Sequence, residues 1–187
     1  LFRSVDYFQG LPEISLNEGQ NGISILDGGS SNSSFIKNVQ SYYPNMKLFF
    51  YQFDPRKESP SAEITTHFPN EMIKRRKFES ALSNNSGYSS FDSTLGMASR
   101  LTEDGLETVS TTRLDDLNTE FDILKLHLEG GELKALHGSL ETLRTEPKIV
   151  FITTYHNSDG VFEIQKLLYS ILGRDRKSTR LNSSHTD

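Results

Sequence analysis

Phe121-Asp122-Ile123-Leu124-Lys125-Leu126-His127-Leu128-Glu129-Gly130-Gly131-Glu132-Leu133-Lys134-Ala135-Leu136-His137-Gly138 is an apolar run that breaks into an acidic, glycine-bearing turn and restarts as an amphipathic helix. Phe121, Ile123, Leu124, Leu126 and Leu128 are too uniformly apolar for a half-exposed strand and suit one buried on both faces, as in a parallel sheet. Beyond Gly130-Gly131, the residues Leu133, Leu136, Leu140 and Leu143 recur at three- and four-residue spacing, which predicts one helix with a single apolar face. Ligands of such sheets gather at the carboxyl ends of strands. His127, Glu129 and Glu132 therefore stand where chemistry is normally done.

Working outward, Ile23 to Leu26 forms a short apolar strand that leads into Asp27-Gly28-Gly29-Ser30-Ser31-Asn32-Ser33-Ser34, a turn of small and polar residues. Phe35, Ile36, Val39, Tyr42 and Tyr43 are then spaced as a helix face, with Pro44-Asn45 as a stop. Lys47 to Phe53 reads as the next strand and ends at Asp54-Pro55. A strand-helix-strand crossover of this length favours parallel pairing with a right-handed connection.

Met72 to Leu82 is expected as a third strand, Tyr88 to Asp92 and Glu107 to Thr111 as short extended pieces, and Arg113 to Leu117 as a helical turn. Ser93 to Gly105 is polar and loop-like, placed to lie over the site. Lys148 to Tyr155 is a further buried strand, followed by a helix over Asp159 to Leu172 carrying Val161, Phe162, Ile164, Leu167, Leu168 and Ile171. Strands alternating with helices give an α/β fold around a parallel sheet.

The chain of 187 residues suits a single core. Its net charge of -5 argues against a nucleic-acid partner, which needs clustered Lys and Arg. Lys74-Arg75-Arg76-Lys77 is short and reads as a solvated strand end. The absence of cysteine excludes disulfides, thiol catalysis and Cys-ligated zinc. No stretch of the sequence reaches the ~20 apolar residues of a membrane span, and compartment and oligomeric state are not fixed by anything in it. We expect residues 1–22 to be the lead-in of a chain missing its amino terminus, 23–174 to be the domain, and 175–187 to be a non-native tail. Asp175 to His185, DRKSTRLNSSH, looks like the in-frame translation of a sequencing-library adapter.

Each polar feature has a physical reading of its own. The turn from Asp27 to Ser33 gathers backbone amides and a helix amino terminus near one point, which suits a carboxylate or phosphate, though plain strand-to-helix connections look alike. Asp54 closes a strand where a carboxylate can accept both hydrogen bonds of a ribose diol, or else caps the turn before Pro55. His127 has a suitable pKa for taking a hydroxyl proton, or is a structural hydrogen-bonding residue. His127, Glu129 and His156 offer three possible ligands without a tight spacing motif, so no metal is expected.

The order of motifs, ILDGGSSNSSF, FDP, SALSNNSG, TTRLDDL and DILKLHLEGGELKALHG, resembles the FkbM family of S-adenosylmethionine-dependent methyltransferases over roughly Ile23 to Gly173. Leu114-Asp115 and the run from Glu129 to Gly138 carry most of the resemblance. It implies a class I SAM-dependent methyltransferase fold, a Rossmann-like α/β three-layer sandwich with strand order 3-2-1-4-5, truncated before the final antiparallel strands. It also implies SAM as cofactor, with Asp27, Gly28, Gly29, Ser31 and Ser33 at its methionine end, Asp54 at the ribose, and Ser80 and Ala81 against the adenine. His127 and Glu129 become the catalytic candidates, and the partner a small-molecule or glycan hydroxyl.

The chain departs from the family pattern at four places. Ser33 stands for the usual glycine, Asp54 for glutamate, His127 for aspartate, and Thr154 for glutamate two positions before His156. A catalytically degenerate SAM- or nucleotide-binding module of the same fold is the alternative reading. A nucleotide-binding oxidoreductase is disfavoured because G-x-G-x-x-G is absent, and a P-loop NTPase is excluded by the lack of a Walker A sequence.

Overall fold

The computed structural model describes residues 21–29, 34–56, 72–145, 147–156 and 158–173. Five parallel strands form the main sheet: β1 (Ile23–Gly28), β2 (Leu48–Phe53), β3 (Ile73–Phe78), β8 (Ile123–Leu126) and β9 (Ile149–Ile152), ordered β3-β2-β1-β8-β9. Counted along this sheet the order is 3-2-1-4-5, as expected, with β1 central and β8 internal.

Alternation along β1 sends Ile23 and Ile25 to one face and Leu26 to the other, and all three are wholly buried. Ile25 lies in register with Phe50 on one side and Ile123 on the other. On that face the helix α1 (Ser34–Tyr42) packs Phe35, Ile36 and Val39 against Ile23, Ile25, Leu48, Phe50 and Phe151. Tyr43 joins this cluster from just past the helix, whereas Tyr42, expected on the same face, points outward.

The opposite face carries Leu26, Phe53, Leu124 and Leu126, covered by α2 (Glu132–His137), α3 (Leu140–Arg144) and α4 (Gly160–Leu172). The single helix expected over Leu133 to Leu143 is two helices, broken at Gly138-Ser139. The break has a packing reason. A Cβ at Gly138 would lie 2.0 Å from the Ser83 carbonyl oxygen, so the backbone of a second sheet presses on the chain there. On α4, Ile164 faces the core but Phe162 is 74% exposed, because two residues of helix place it about 200° round from Ile164, on the opposite side.

The second sheet was not expected. It has the order β4-β7-β5-β6, from β4 (Ala81–Leu82), β5 (Gly87–Asp92), β6 (Arg100–Leu101) and β7 (Glu107–Thr112). The strand expected over Met72 to Leu82 divides at Glu79-Ser80: β3 stays in the main sheet, and β4 leaves to pair with β7. Ser93 to Gly105 likewise contains β6 and a short 3-10 turn, Gly96–Ala98, and is not wholly loop. The basic run lies on the edge strand β3, where Lys74 sits 5.9 Å over the Phe49 ring and Arg76 4.9 Å over Phe78. Charged residues on an edge discourage pairing with another sheet.

Candidate functional site

The carboxyl ends of β1, β2 and β8 open onto one cleft of about 580 Å³, part of it open solvent. Gly29 follows β1, Asp54 follows β2, and His127, Leu128 and Glu129 follow β8. Ala81, Leu82, Phe53 and Phe91 give the cleft an apolar wall, and Ser99, Arg100 and Leu101 border it from the Ser93 to Gly105 segment.

Asp54 is 3% exposed and is gripped by its near neighbour Arg56. The guanidinium reaches Oδ1 at 2.9 Å and Oδ2 at 2.7 Å, while the Arg56 amide donates to Oδ1 at 3.0 Å. This bond holds the Arg56 proton more tightly than usual, against the opposing effect of burial. Arg56 also donates to the Gly96 carbonyl at 3.2 Å, tying Asp54 to the segment across the cleft. Sequence reading missed Arg56, since a two-residue offset in an irregular segment has no periodic signal.

The turn after β8 is shaped by Glu132. Its carboxylate, 1% exposed, accepts from the amides of Leu128 at 2.8 Å and Gly130 at 3.0 Å. With those bonds in place Glu129 adopts φ 51° and Gly130 φ 101°, a left-handed reversal that costs a non-glycine residue about 1 kcal/mol or more. The reversal turns Glu129 back toward His127, whose Nε2 lies 3.1 Å from Glu129 Oε1. His156, following β9, places Nε2 3.1 Å from Glu129 Oε2 and Nδ1 3.0 Å from Glu132 Oε1. Burial lowers the His127 pKa from its ordinary 6.5, assisted by the Lys125 ammonium and opposed by Glu129.

Of the residues expected to form the site, Gly29, Asp54, Ala81, His127 and Glu129 line the cleft. Asp27 does not. It is wholly buried and receives Lys125 Nζ at 2.8 Å on Oδ1 and Gln52 Nε2 at 3.4 Å on Oδ2. Gly28 lies beneath the Leu82 side chain, and the Ser80 hydroxyl is engaged with Thr112 at 2.7 Å. Ser31 and Ser33 lie outside the described residues. Lys125 was also missed, yet it left a signal: a charge in a doubly buried strand demands a counterion, and Asp27 closes the neighbouring strand.

A model describing the methyltransferase FkbM domain matches residues 29–177, well over half of the chain. The chain belongs to the FkbM methyltransferase domain family. Its sheet is also similar to the crystal structure of methyltransferase FkbM from Methylobacillus flagellatus KT, with a TM-score of 0.63 and 18% identity. That likeness covers 90% of this chain and 41% of the Methylobacillus chain, so the chain spans less than half of that protein's length. Among curated proteins nothing matches.

No helix among the described residues is long and apolar enough to cross a membrane.

Proposed function

We propose that the chain is the SAM-binding part of an O-methyltransferase that acts on a hydroxyl of a small molecule or glycan. One observation carries this reading: a buried carboxylate, Asp54, and a histidine-carboxylate pair, His127 and Glu129, face one cleft at the carboxyl ends of three parallel strands. When bound, SAM supplies a methyl group on a sulfonium that is electrophilic enough for displacement by oxygen.

The cleft fits that cofactor in part. Ala81, Leu82 and Phe53 offer an apolar wall for a purine. Arg56 fills three of the roughly four acceptor positions of Asp54, which leaves room for one ribose hydroxyl beside it. The second hydroxyl requires Arg56 to give way. Asp27 contributes indirectly, by holding Lys125, whose ammonium also donates to the Gly29 carbonyl at 3.2 Å and so braces the start of the glycine turn.

On the acceptor side, Glu129 accepts from His127 Nε2-H and thereby fixes the tautomer in which Nδ1 carries the lone pair. That nitrogen takes the hydroxyl proton as the oxygen-methyl bond forms. The lowered pKa keeps the imidazole neutral, and so able to accept, around pH 7.

Calorimetric titration with SAM and with NAD tests the cofactor, and a screen of hydroxyl-bearing acceptors tests transfer. SAM binding with NAD silent is the expected result. SAM binding without transfer to any acceptor would leave a binding module, and binding of NAD alone would overturn the reading.

A further inference from the structure

Spacing along the chain concealed what the fold brings together. His127, Glu129 and His156 come from the ends of two neighbouring strands, and their ligand-capable atoms all lie within 4.8 Å of one another. A tetrahedral zinc site with bonds of 2.0–2.2 Å separates its ligand atoms by about 3.3 Å. The two imidazole-to-Glu129 distances, each 3.1 Å but to different oxygens of the carboxylate, are close to that spacing, and one ligand atom from each residue falls within 4.8 Å of the others.

The hydrogen bonding of His156 raises a second, independent point. Each of its ring nitrogens faces a carboxylate, Glu129 at Nε2 and Glu132 at Nδ1. A neutral imidazole has one N-H, so either a second proton on the ring or a cation must come between one of these two facing pairs. Glu132 is the fixed partner, because two backbone amides hold it in place and it is 1% exposed. With Nδ1-H donated to Glu132, the unresolved contact is Nε2 against Glu129, beside His127. A cation there relieves it. The chain Glu132, His156, ion is the carboxylate-histidine-metal arrangement by which proteins orient a metal-bound ring.

We infer that His127, Glu129 and His156 bind one divalent transition-metal ion of the zinc or cobalt type, with Glu132 orienting His156. Two imidazoles and one carboxylate select such ions over magnesium or calcium, which prefer oxygen donors. Three protein ligands leave at least one coordination position open, and His127 and Glu129 both line the cleft. An acceptor hydroxyl in that position becomes more acidic, as metal-bound water does, and His127 then serves as ligand in place of base. That consequence rests on the methyl-transfer reading, whereas the site itself does not.

The test is carried out on the full chain after chelator treatment. Calorimetry follows titration with Zn²⁺, Co²⁺ and Mg²⁺, and visible absorption follows Co²⁺. The expected result is one Zn²⁺ or Co²⁺ per chain, with Mg²⁺ silent at the same concentration. His156→Ala and Glu129→Gln each abolish binding at concentrations that saturate the parent, and Glu132→Gln weakens it by about 10- to 100-fold. Should His156→Ala lose its circular dichroism, the near-isosteric Glu129→Gln carries the comparison. Absence of stoichiometric binding, or binding untouched by Glu129→Gln, overturns the inference. So does a His156 ring that ¹⁵N NMR finds protonated on both nitrogens before and after Zn²⁺ is added. None of these readouts depends on methyl transfer, so a failed acceptor screen and a failed metal site remain distinct results.

Discussion

Lys125 reaches Asp27 across 2.8 Å with neither side chain open to water, 7% exposed for the lysine and 0% for the aspartate. The pair belongs to a polar row that crosses the sheet at the level of the glycine turn. Asp27 lies in register with Lys125 on one side and Gln52 on the other, and Arg75 donates to Gln52 Oε1. Removing one partner of a buried pair costs about 3–5 kcal/mol, since the other charge is left stranded. Lys125→Met is therefore expected to lower unfolding stability in urea by about that amount. Replacing both, Asp27→Leu with Lys125→Met, should recover most of it. A single variant as stable as the parent would show that the row is not an electrostatic unit.

Asp54→Ala should weaken SAM binding by about 1 to 3 kcal/mol, the scale of hydrogen bonds lost to a charged group. Some stability should be lost as well, because Arg56 is left without its buried partner, so the variant is first checked for folding by circular dichroism. Calorimetry on a well-folded variant with an unaltered Kd would remove Asp54 from the cofactor site.

His127→Ala should reduce methyl transfer by ~10²-fold or more while SAM affinity stays nearly constant, because proton removal matters only on the way to the transition state. His127→Asp restores the family's residue and keeps an acceptor in place, so it should retain more rate than alanine. Parallel loss of SAM affinity and thermal stability in the alanine variant would instead make His127 a brace for the turn.

Asp115, in the 3-10 turn Leu114–Leu117, ties the second sheet to α3. Burial opposes its ionisation. Bonds from the Thr142 amide and hydroxyl, each 2.9 Å, together with the Glu141 amide and Arg113, outweigh burial and hold its pKa below the usual 3.8. A depressed folded pKa stabilises the fold above the unfolded value, and that contribution is lost as pH falls through the folded one. Stability should therefore decline below about pH 4, and Asp115→Asn should flatten that part of the profile. Denaturant midpoints measured between pH 6 and pH 3 decide it, and identical slopes for the two proteins would exclude Asp115.

Much of the main sheet was legible because burial on both faces leaves mostly apolar runs, as at Ile23 to Leu26 and Ile123 to Leu126, each interrupted by a single polar residue, Ser24 or Lys125. The division at Glu79-Ser80 was not, since β3 and β4 follow each other with no glycine or proline to mark a change of sheet. The kink at Gly138 was hidden for a related reason: Leu136 and Leu140 keep helical spacing across it, and the Ser83 backbone that closes on Gly138 is distant in sequence. Their positions at strand ends bring Asp54, His127 and Glu129 to the cleft. The family resemblance sets Asp27 at the methionine end of the cofactor, whereas its side chain is wholly buried and bonded to Lys125. His156 joins His127 only through the pairing of β8 with β9, a neighbour relation that linear spacing does not record.

Gly29 has φ 72°, and a Cβ there would lie 1.7 Å from the His127 carbonyl oxygen, while the His127 amide donates to the Gly28 carbonyl at 3.1 Å. No slack separates the glycine turn from the histidine segment. The glycine turn and the histidine segment are therefore joined backbone to backbone, as one flank of the cleft. The facing rim is tied more loosely, where Arg56 reaches across to the Gly96 carbonyl of a segment outside the main sheet.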